Sequence, residues 1–75
     1  MSIGYKKNLY RIINEAAEAG EPCPTIDDLA RRMKIDGGRI GRLFGELVDD
    51  GRIKQNVLAY GGRRVTICAT GKTTA

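Results

Sequence analysis

Apolar residues between Asp36 and Gly51 recur with the spacing of a helix. The carboxylate of Asp36 can accept hydrogen bonds from the first free backbone N–H groups, so we expect Asp36 to be the N-cap. Gly51 stands where a helix commonly ends in a left-handed residue. The apolar positions fall at i, i+3, i+4, i+7 and i+8 on one face of this predicted helix: Ile40, Leu43, Phe44, Leu47 and Val48.

The same spacing predicts two earlier helices. The first runs from Ser2, its expected N-cap, to about Ala19, where Gly20 stops it. Its inward stripe consists of Tyr5, Leu9, Ile12, Ile13 and Ala16. The two prolines in residues 21–24 exclude a helix there, and Thr25 then caps a short second helix. The buried stripe of this second helix consists of Ile26, Leu29, Ala30 and Met33.

Alternating apolar and polar residues after Gly51 predict a β-hairpin with its turn at Gly61-Gly62. A two-residue loop would pair Tyr60 with Arg63 and divide the apolar residues between both faces. A three-residue loop would instead pair Ala59 with Arg63 and gather them on one face. A one-residue slip moves every side chain of a strand to the opposite face. We favour the three-residue loop, because it allows all the apolar residues to be buried together. Its pairs are Ala59–Arg63, Val57–Val65 and Ile53–Ala69, and its apolar face holds Ile53, Val57, Val65, Ile67 and Ala69.

Helix, short helix, turn, helix and hairpin is the order of a winged helix-turn-helix, which is an α+β fold. We expect this domain to span residues 1–69 and residues 70–75 to form a polar, frayed C-terminal tail. Three motifs support the assignment: Pro24-Thr25-Ile26-Asp27-Asp28-Leu29-Ala30, Leu47-Val48-Asp49-Asp50-Gly51-Arg52-Ile53 and Arg63-Arg64-Val65-Thr66-Ile67. With these motifs, the segment from Pro24 to Ile67 resembles the amino-terminal winged-helix domain of LexA-type repressors. The resemblance implies a domain that binds DNA.

The distribution of charge predicts a polyanionic partner. The 75 residues carry a net charge of +4, and every acidic residue lies in the first fifty positions. The last twenty-five positions contain no carboxylate but five basic residues, Arg52, Lys54, Arg63, Arg64 and Lys72. One end of the molecule should therefore project a positive field. The alternative is a short basic chain whose charge has no such partner.

Composition argues against an enzyme. The chain has no histidine, and its two cysteines, Cys23 and Cys68, are far apart, which excludes the usual zinc spacings and a Cys–His nucleophile pair. We expect no metal, no cofactor and no small-molecule substrate. We favour two reduced thiols over a disulfide between Cys23 and Cys68. The sequence alone does not exclude the disulfide. No apolar run approaches the roughly 20 residues needed to cross a bilayer, and no signal-peptide core is present, so we expect a cytoplasmic protein.

The third helix carries the residues expected to read bases. Arg42 lies on its outward face and Arg39 on its flank, where either could make bidentate contacts with guanine. The alternative is a solvated helix with an Arg42–Glu46 pair. A stripe formed by Gly37, Gly41 and Gly45 lies beside the apolar face, although glycine inside a helix costs about 1 kcal/mol relative to alanine. Close packing on the second helix is the favoured reason, with a DNA strand or a partner subunit as alternatives.

The outer face of the hairpin is expected to contact the DNA backbone or the minor groove. Arg63 and Arg64 should reach a phosphate near the tip. The complete set of predicted DNA-binding residues is Thr25, Gly38, Arg39, Arg42, Arg52, Lys54, Asn56, Arg63 and Arg64.

The sequence therefore predicts a non-enzymatic, duplex-DNA-binding regulator of transcription, a repressor by its resemblance. The third helix would enter the major groove, and the hairpin would lie on the phosphate backbone or in the minor groove. So small a module favours a homodimer or several copies per site. The alternative is a protein–protein interaction module in which the glycine stripe and Leu58 meet another chain.

Overall fold

Three helices precede a two-stranded antiparallel hairpin in the computed structural model, which describes residues 2–59 and 62–75. The elements are α1 (Ser2–Ala19), α2 (Ile26–Met33), α3 (Gly37–Asp49), β1 (Ile53–Val57) and β2 (Arg63–Ile67). This α+β layout is the predicted one, and it is compatible with a winged helix.

Local side-chain chemistry sets the helix ends as predicted. The Thr25 hydroxyl accepts a hydrogen bond from the Asp28 N–H at 3.1 Å and caps α2. The Asp36 carboxylate accepts from the N–H groups of Gly38 and Arg39, at 2.9 and 3.2 Å, and caps α3. Gly20 and Gly51 follow α1 and α3 with φ of 69° and 75°, the left-handed conformation that glycine adopts without strain. The predicted cap Ser2 is already the first residue of α1, and its side chain lies outside the described part.

The apolar stripes of the three helices meet the inner face of the hairpin in one core. Phe44 of α3 is among the largest fully buried side chains, with 1% of its surface exposed. The core consists of Leu9, Ile13, Ala17, Leu29, Met33, Ile40, Leu43, Phe44, Leu47, Ile53, Val65 and Ile67. Tyr5, Ile12, Ile26, Ala30 and Val48 are half-buried at its margin.

The predicted register of the hairpin is wrong by two residues. Ile53 lies opposite Ile67, Val57 lies opposite Arg63, and the Leu58 N–H donates to the Gly62 carbonyl at 2.8 Å. A shift of two residues keeps every side chain on the same face, so burial could not separate this register from the predicted one. The inner face is therefore correct for Ile53, Val65 and Ile67, whereas Val57 (67% exposed) and Ala69 lie in solvent. Tyr60 and Gly61 of the predicted turn are outside the described residues.

The prediction of a frayed tail is also wrong, because residues 70–75 pack along β2. Thr74 is 2% exposed, its N–H donates to the Val65 carbonyl, and its hydroxyl accepts from the Val65 N–H, both at 2.9 Å. Thr73 bridges Thr66 through their hydroxyl groups at 2.9 Å, and the Ala75 N–H donates to the Glu21 carbonyl. The tail thus satisfies polar backbone groups that β2 would otherwise leave open at its edge.

Replacing Phe44 with alanine should remove the centre of this core. We expect Phe44→Ala to lower the free energy of unfolding by about 3–5 kcal/mol, close to the whole stability of so small a domain. The exposed apolar residue Val57 provides the matched control, and Val57→Ala should change stability by less than about 0.5 kcal/mol. Urea or thermal denaturation measures both. A Phe44→Ala variant that melts within a few degrees of the parent would contradict the position of Phe44 in the core.

Candidate nucleic-acid interface

The face of α3 opposite the core is open and bears one basic side chain. Gly38, Gly41, Arg42 and Asp49 are exposed there, and Gly45 is half-buried. Arg42 has no ion pair among the residues that the structure describes. This single guanidinium is therefore available to a partner.

Two of the three acidic residues near the end of α3, Glu46 and Asp50, pair with Lys6 of α1 rather than with Arg42, whereas Asp49 is exposed without an ion pair among the described residues. The Lys6 ammonium lies 2.5 Å from an Asp50 carboxylate oxygen and 3.5 Å from one of Glu46. The expected alternative of an Arg42–Glu46 pair is therefore wrong. The hydrogen bond to Asp50 is the main cause that raises the pKa of Lys6 above its ordinary value of 10.5. Because these groups are exposed to water, the ion pairs contribute little to the stability of the fold. Their main effect is to hold the carboxylates of Glu46 and Asp50 beside α1.

Arg39 leans towards α1, on the flank where the helical spacing predicts it. Its guanidinium carbon lies 5.7 Å from the centroid of the Tyr5 ring, within the range of a cation–π contact. Arg39 remains exposed, but it points away from the centre of the open face. Tyr5 holds this cation in place, which the sequence did not indicate.

The glycines of α3 have different surroundings. A Cβ atom at Gly37 would lie 3.1 Å from the Cγ2 atom of Ile26, so Gly37 permits α2 and α3 to pack closely. A Cβ atom at Gly41 or at Gly45 would meet nothing within 4 Å. The expectation of close packing on α2 is therefore confirmed for Gly37 and wrong for Gly41 and Gly45. Internal packing does not explain the last two.

Arg63 turns inward instead of reaching out beside the tip. Its guanidinium lies 4.4 Å from the centroid of the Phe44 ring and donates to the Gln55 side-chain oxygen at 3.0 Å. Arg63 lies two residues before the buried Val65 on β2, so the alternation of side chains along the strand places both on the inner face. The expectation that Arg63 extends outward beside the tip is therefore wrong, and its contact with a phosphate stays a prediction.

Arg63 and Thr25 line the same cleft, although they are far apart in sequence. The cleft has a volume of about 180 Å³ and lies between the start of α2 and the hairpin, with Cys23 in its wall. Burial raises the pKa of the Cys23 thiol, and the nearby Arg63 guanidinium only partly opposes the shift. Cys23 is therefore a neutral thiol at pH 7. Cys23 and Cys68 are both free.

The outer face of the hairpin brings together Lys54, Asn56 and Arg64 as predicted. All three side chains are exposed, and Asn56 lies directly opposite Arg64. No carboxylate side chain occurs in residues 51–75 to neutralise them. Arg52 is separate from this group, because its guanidinium carbon lies 5.6 Å from the centroid of the Tyr10 ring in α1.

Metal-ligating groups and membrane-spanning helices were sought in the described part of the chain. Within it, no group of three or more metal-ligating side chains lies close enough to hold an ion. None of its helices combines the length and the apolar character needed to cross a membrane. No protein-family model, curated protein or solved structure matches this chain.

Proposed function

We propose that this protein is a winged helix-turn-helix that binds duplex DNA without enzymatic activity and regulates transcription. The observation that carries the proposal is the sorting of charge. Lys6 pairs with Glu46 and Asp50 at the end of α3, while Arg42 on the open face has no ion pair among the described residues. Asp49 is the one carboxylate on that face, and it lies at the far end of the helix from Gly38. The hairpin adds Lys54 and Arg64 with no carboxylate side chain in residues 51–75.

In this proposal α3 enters the major groove with its open face. An α-helix fits that groove, and Arg42 can donate two hydrogen bonds to the O6 and N7 atoms of guanine. Gly38, Gly41 and Gly45 leave the helix surface bare, so the helix backbone can come close to the base edges. With one long basic side chain on this face, the protein should discriminate between sequences weakly when it binds as a single copy. A homodimer or several copies per site would raise both affinity and selectivity.

The hairpin would supply phosphate contacts that do not depend on sequence. Lys54 and Arg64 are exposed on its outer face, and Asn56 can donate a further hydrogen bond. At the start of α2, Thr25 and the free N–H groups of the first turn offer a weaker phosphate position, because Asp27 and Asp28 in the same turn repel an anion. Arg63 holds the hairpin against Phe44 in this scheme and positions the outer face instead of contacting DNA from the tip.

Removing the two outer-face cations tests the contact between hairpin and DNA. The double variant Lys54→Ala/Arg64→Ala should weaken binding to all duplexes by the same factor. Each lost phosphate contact should also flatten the plot of log affinity against log salt concentration by about 0.9 units. Fluorescence anisotropy with a random duplex at several salt concentrations measures both quantities.

A matched control removes two positive charges elsewhere. Arg11 and Arg31 are exposed on α1 and α2 and pair with Glu15 and Asp28, so Arg11→Ala/Arg31→Ala should change the salt slope much less. A folded Lys54→Ala/Arg64→Ala variant with the parental affinity and slope would remove the hairpin from the DNA interface.

A protein–protein interaction module is the second candidate, and the open glycines favour it. Nothing in the described structure lies within 4 Å of a Cβ atom placed at Gly41 or Gly45. Each of these glycines costs about 1 kcal/mol relative to alanine inside a helix. A second chain could pack on this bare strip, as could a DNA strand.

Replacing Gly41 or Gly45 with alanine distinguishes DNA binding from protein–protein interaction as the role of the bare strip. Gly41→Ala and Gly45→Ala should each raise the free energy of unfolding by about 1 kcal/mol, because no neighbour obstructs the new methyl group. Gly37→Ala is the control and should gain less or lose stability, because its Cβ atom would lie 3.1 Å from Ile26. Denaturation measures stability, while anisotropy and analytical ultracentrifugation measure DNA binding and self-association.

The binding results then distinguish the two functions. Weaker duplex binding by the stabilised variants would support approach of the bare strip to DNA. Unchanged duplex binding with loss of self-association would favour the protein–protein module. Destabilisation of both variants would contradict the open surroundings of Gly41 and Gly45.

A further inference from the structure

A cleft between α1 and the end of α3 has no role in the proposed function. It has a volume of about 330 Å³, within the range of small-molecule sites. Its lining residues are Lys6, Lys7, Tyr10, Leu47, Asp50 and Arg52. We call it the α1–α3 cleft. It lies on the α1 side of α3, whereas Arg42 lies on the face opposite the core.

The charges of the α1–α3 cleft are unbalanced in favour of an anion. Three cations line it, and Asp50 is the single carboxylate among its lining residues. Asp50 already binds Lys6, which also contacts Glu46 just outside. Lys7 and Arg52 form no ion pair with any described residue. Two cations without an ion pair among the described residues therefore line one cleft, an arrangement that an anion would stabilise.

The walls of the cleft suit an anion attached to a larger group. The half-buried Tyr10 ring provides apolar surface next to the cations, above the buried side chain of Leu47. Arg52 is positioned by its contact with the Tyr10 ring, 5.6 Å from guanidinium carbon to centroid, and its planar fork can donate two parallel hydrogen bonds to an oxyanion. Lys7 adds a mobile point charge from α1.

We propose that the α1–α3 cleft binds a phosphate group, with Lys7 and Arg52 as its ligands. A free organic phosphate such as a nucleotide and the backbone of a nucleic acid present the same chemistry, and the experiment distinguishes these sources. Asp50 opposes binding by repulsion and by holding the Lys6 ammonium. The inference stands without the proposed function, because the cleft can bind a free phosphate whether or not α3 binds DNA.

Nuclear magnetic resonance titration of the isotope-labelled protein tests the site directly. Inorganic phosphate and adenosine monophosphate are added separately, and sodium chloride of equal ionic strength serves as the reference. We expect saturable shifts of the backbone amides of Lys7, Tyr10 and Arg52 with phosphate and none with chloride. Lys7→Gln and Arg52→Gln should each weaken binding about tenfold, as expected for a lost hydrogen bond to a charged group.

Matched variants distinguish binding at the α1–α3 cleft from a general effect of the protein's net charge. Lys72→Gln and Arg31→Gln each remove one positive charge from exposed positions outside the cleft and should leave phosphate binding unchanged. Asp50→Asn should tighten phosphate binding several-fold, because it removes the repulsive carboxylate and releases Lys6. A purely structural role of the Lys6–Asp50 bridge predicts no such gain.

The outcomes assign the source of the phosphate or overturn the site. Saturable binding of adenosine monophosphate would support a free organic phosphate. Shifts of the same amides with duplex DNA alone, weakened by Lys7→Gln and Arg52→Gln, would support a nucleic-acid backbone. Equal responses to phosphate and chloride with no effect of duplex on these amides would overturn the proposal. Equal weakening by Lys72→Gln would overturn it as well. If the protein binds duplex DNA without any effect on these amides and does not bind phosphate, the phosphate site would be rejected while the proposed function is retained.

Discussion

Burial of the apolar stripe of α3 is the constraint on which the rest of the structure depends. In a chain of 75 residues the core is thin, and α3 contributes Ile40, Leu43, Phe44 and Leu47 to it. These four side chains fix the rotation of the helix about its axis. That rotation sends Arg42 and the open glycines outward and turns Glu46 and Asp50 towards Lys6. The position of every candidate contact on α3 therefore follows from hydrophobic packing.

The same core sets the position of the hairpin. Ile53, Val65 and Ile67 are buried against the helices, which leaves Lys54, Asn56 and Arg64 on the outer face. Arg63 shares the inner face and covers the ring of Phe44, so one side chain links the hairpin to α3. The tail adds hydrogen bonds to Val65 on the other side of β2. Arg64 of the outer face thus lies on a strand that is hydrogen-bonded to β1 on one side and to the tail on the other, whereas Lys54 and Asn56 lie on β1.

Two sets of exposed basic residues differ in their surroundings. Arg11, Arg31 and Arg32 pair with carboxylates on their own helices, and such exposed pairs contribute at most about 1 kcal/mol each. Arg42, Lys54 and Arg64 have no such partners among the described residues. Because surface charge contributes little to the fold, its uneven distribution bears mainly on what the protein attracts.

Local features could be predicted from the sequence, and most non-local ones could not. Thr25 and Asp36 cap their helices through neighbours within three residues, so sequence spacing alone revealed them. The prediction of the hairpin register was wrong, because a two-residue shift leaves the same residues on the apolar face. The packing of residues 70–75 was not predicted either, because their polar residues form a pattern typical of a free terminus.

The candidate site shows the same division between local and long-range information. Outward exposure of Arg42, Lys54 and Arg64 follows from periodicity and was predicted. The Lys6 bridge and the stacking of Arg39 and Arg52 on tyrosines join elements far apart in sequence, and neither spacing nor charge count encodes such contacts. Arg63 is different, because alternation along β2 places it on the same face as Val65, although its contact with Phe44 of another element is long-range.

Titration of the parent protein with a random DNA duplex at a series of salt concentrations tests the central claim most directly. If the unpaired cations contact phosphates, log affinity should fall linearly with log salt concentration. Its slope should be about −0.9 for each phosphate contacted. For contacts by Arg64 and Lys54 together with the start of α2, the slope should correspond to at least two phosphates. Absence of duplex binding at low salt, or an affinity that does not depend on salt, would contradict the account.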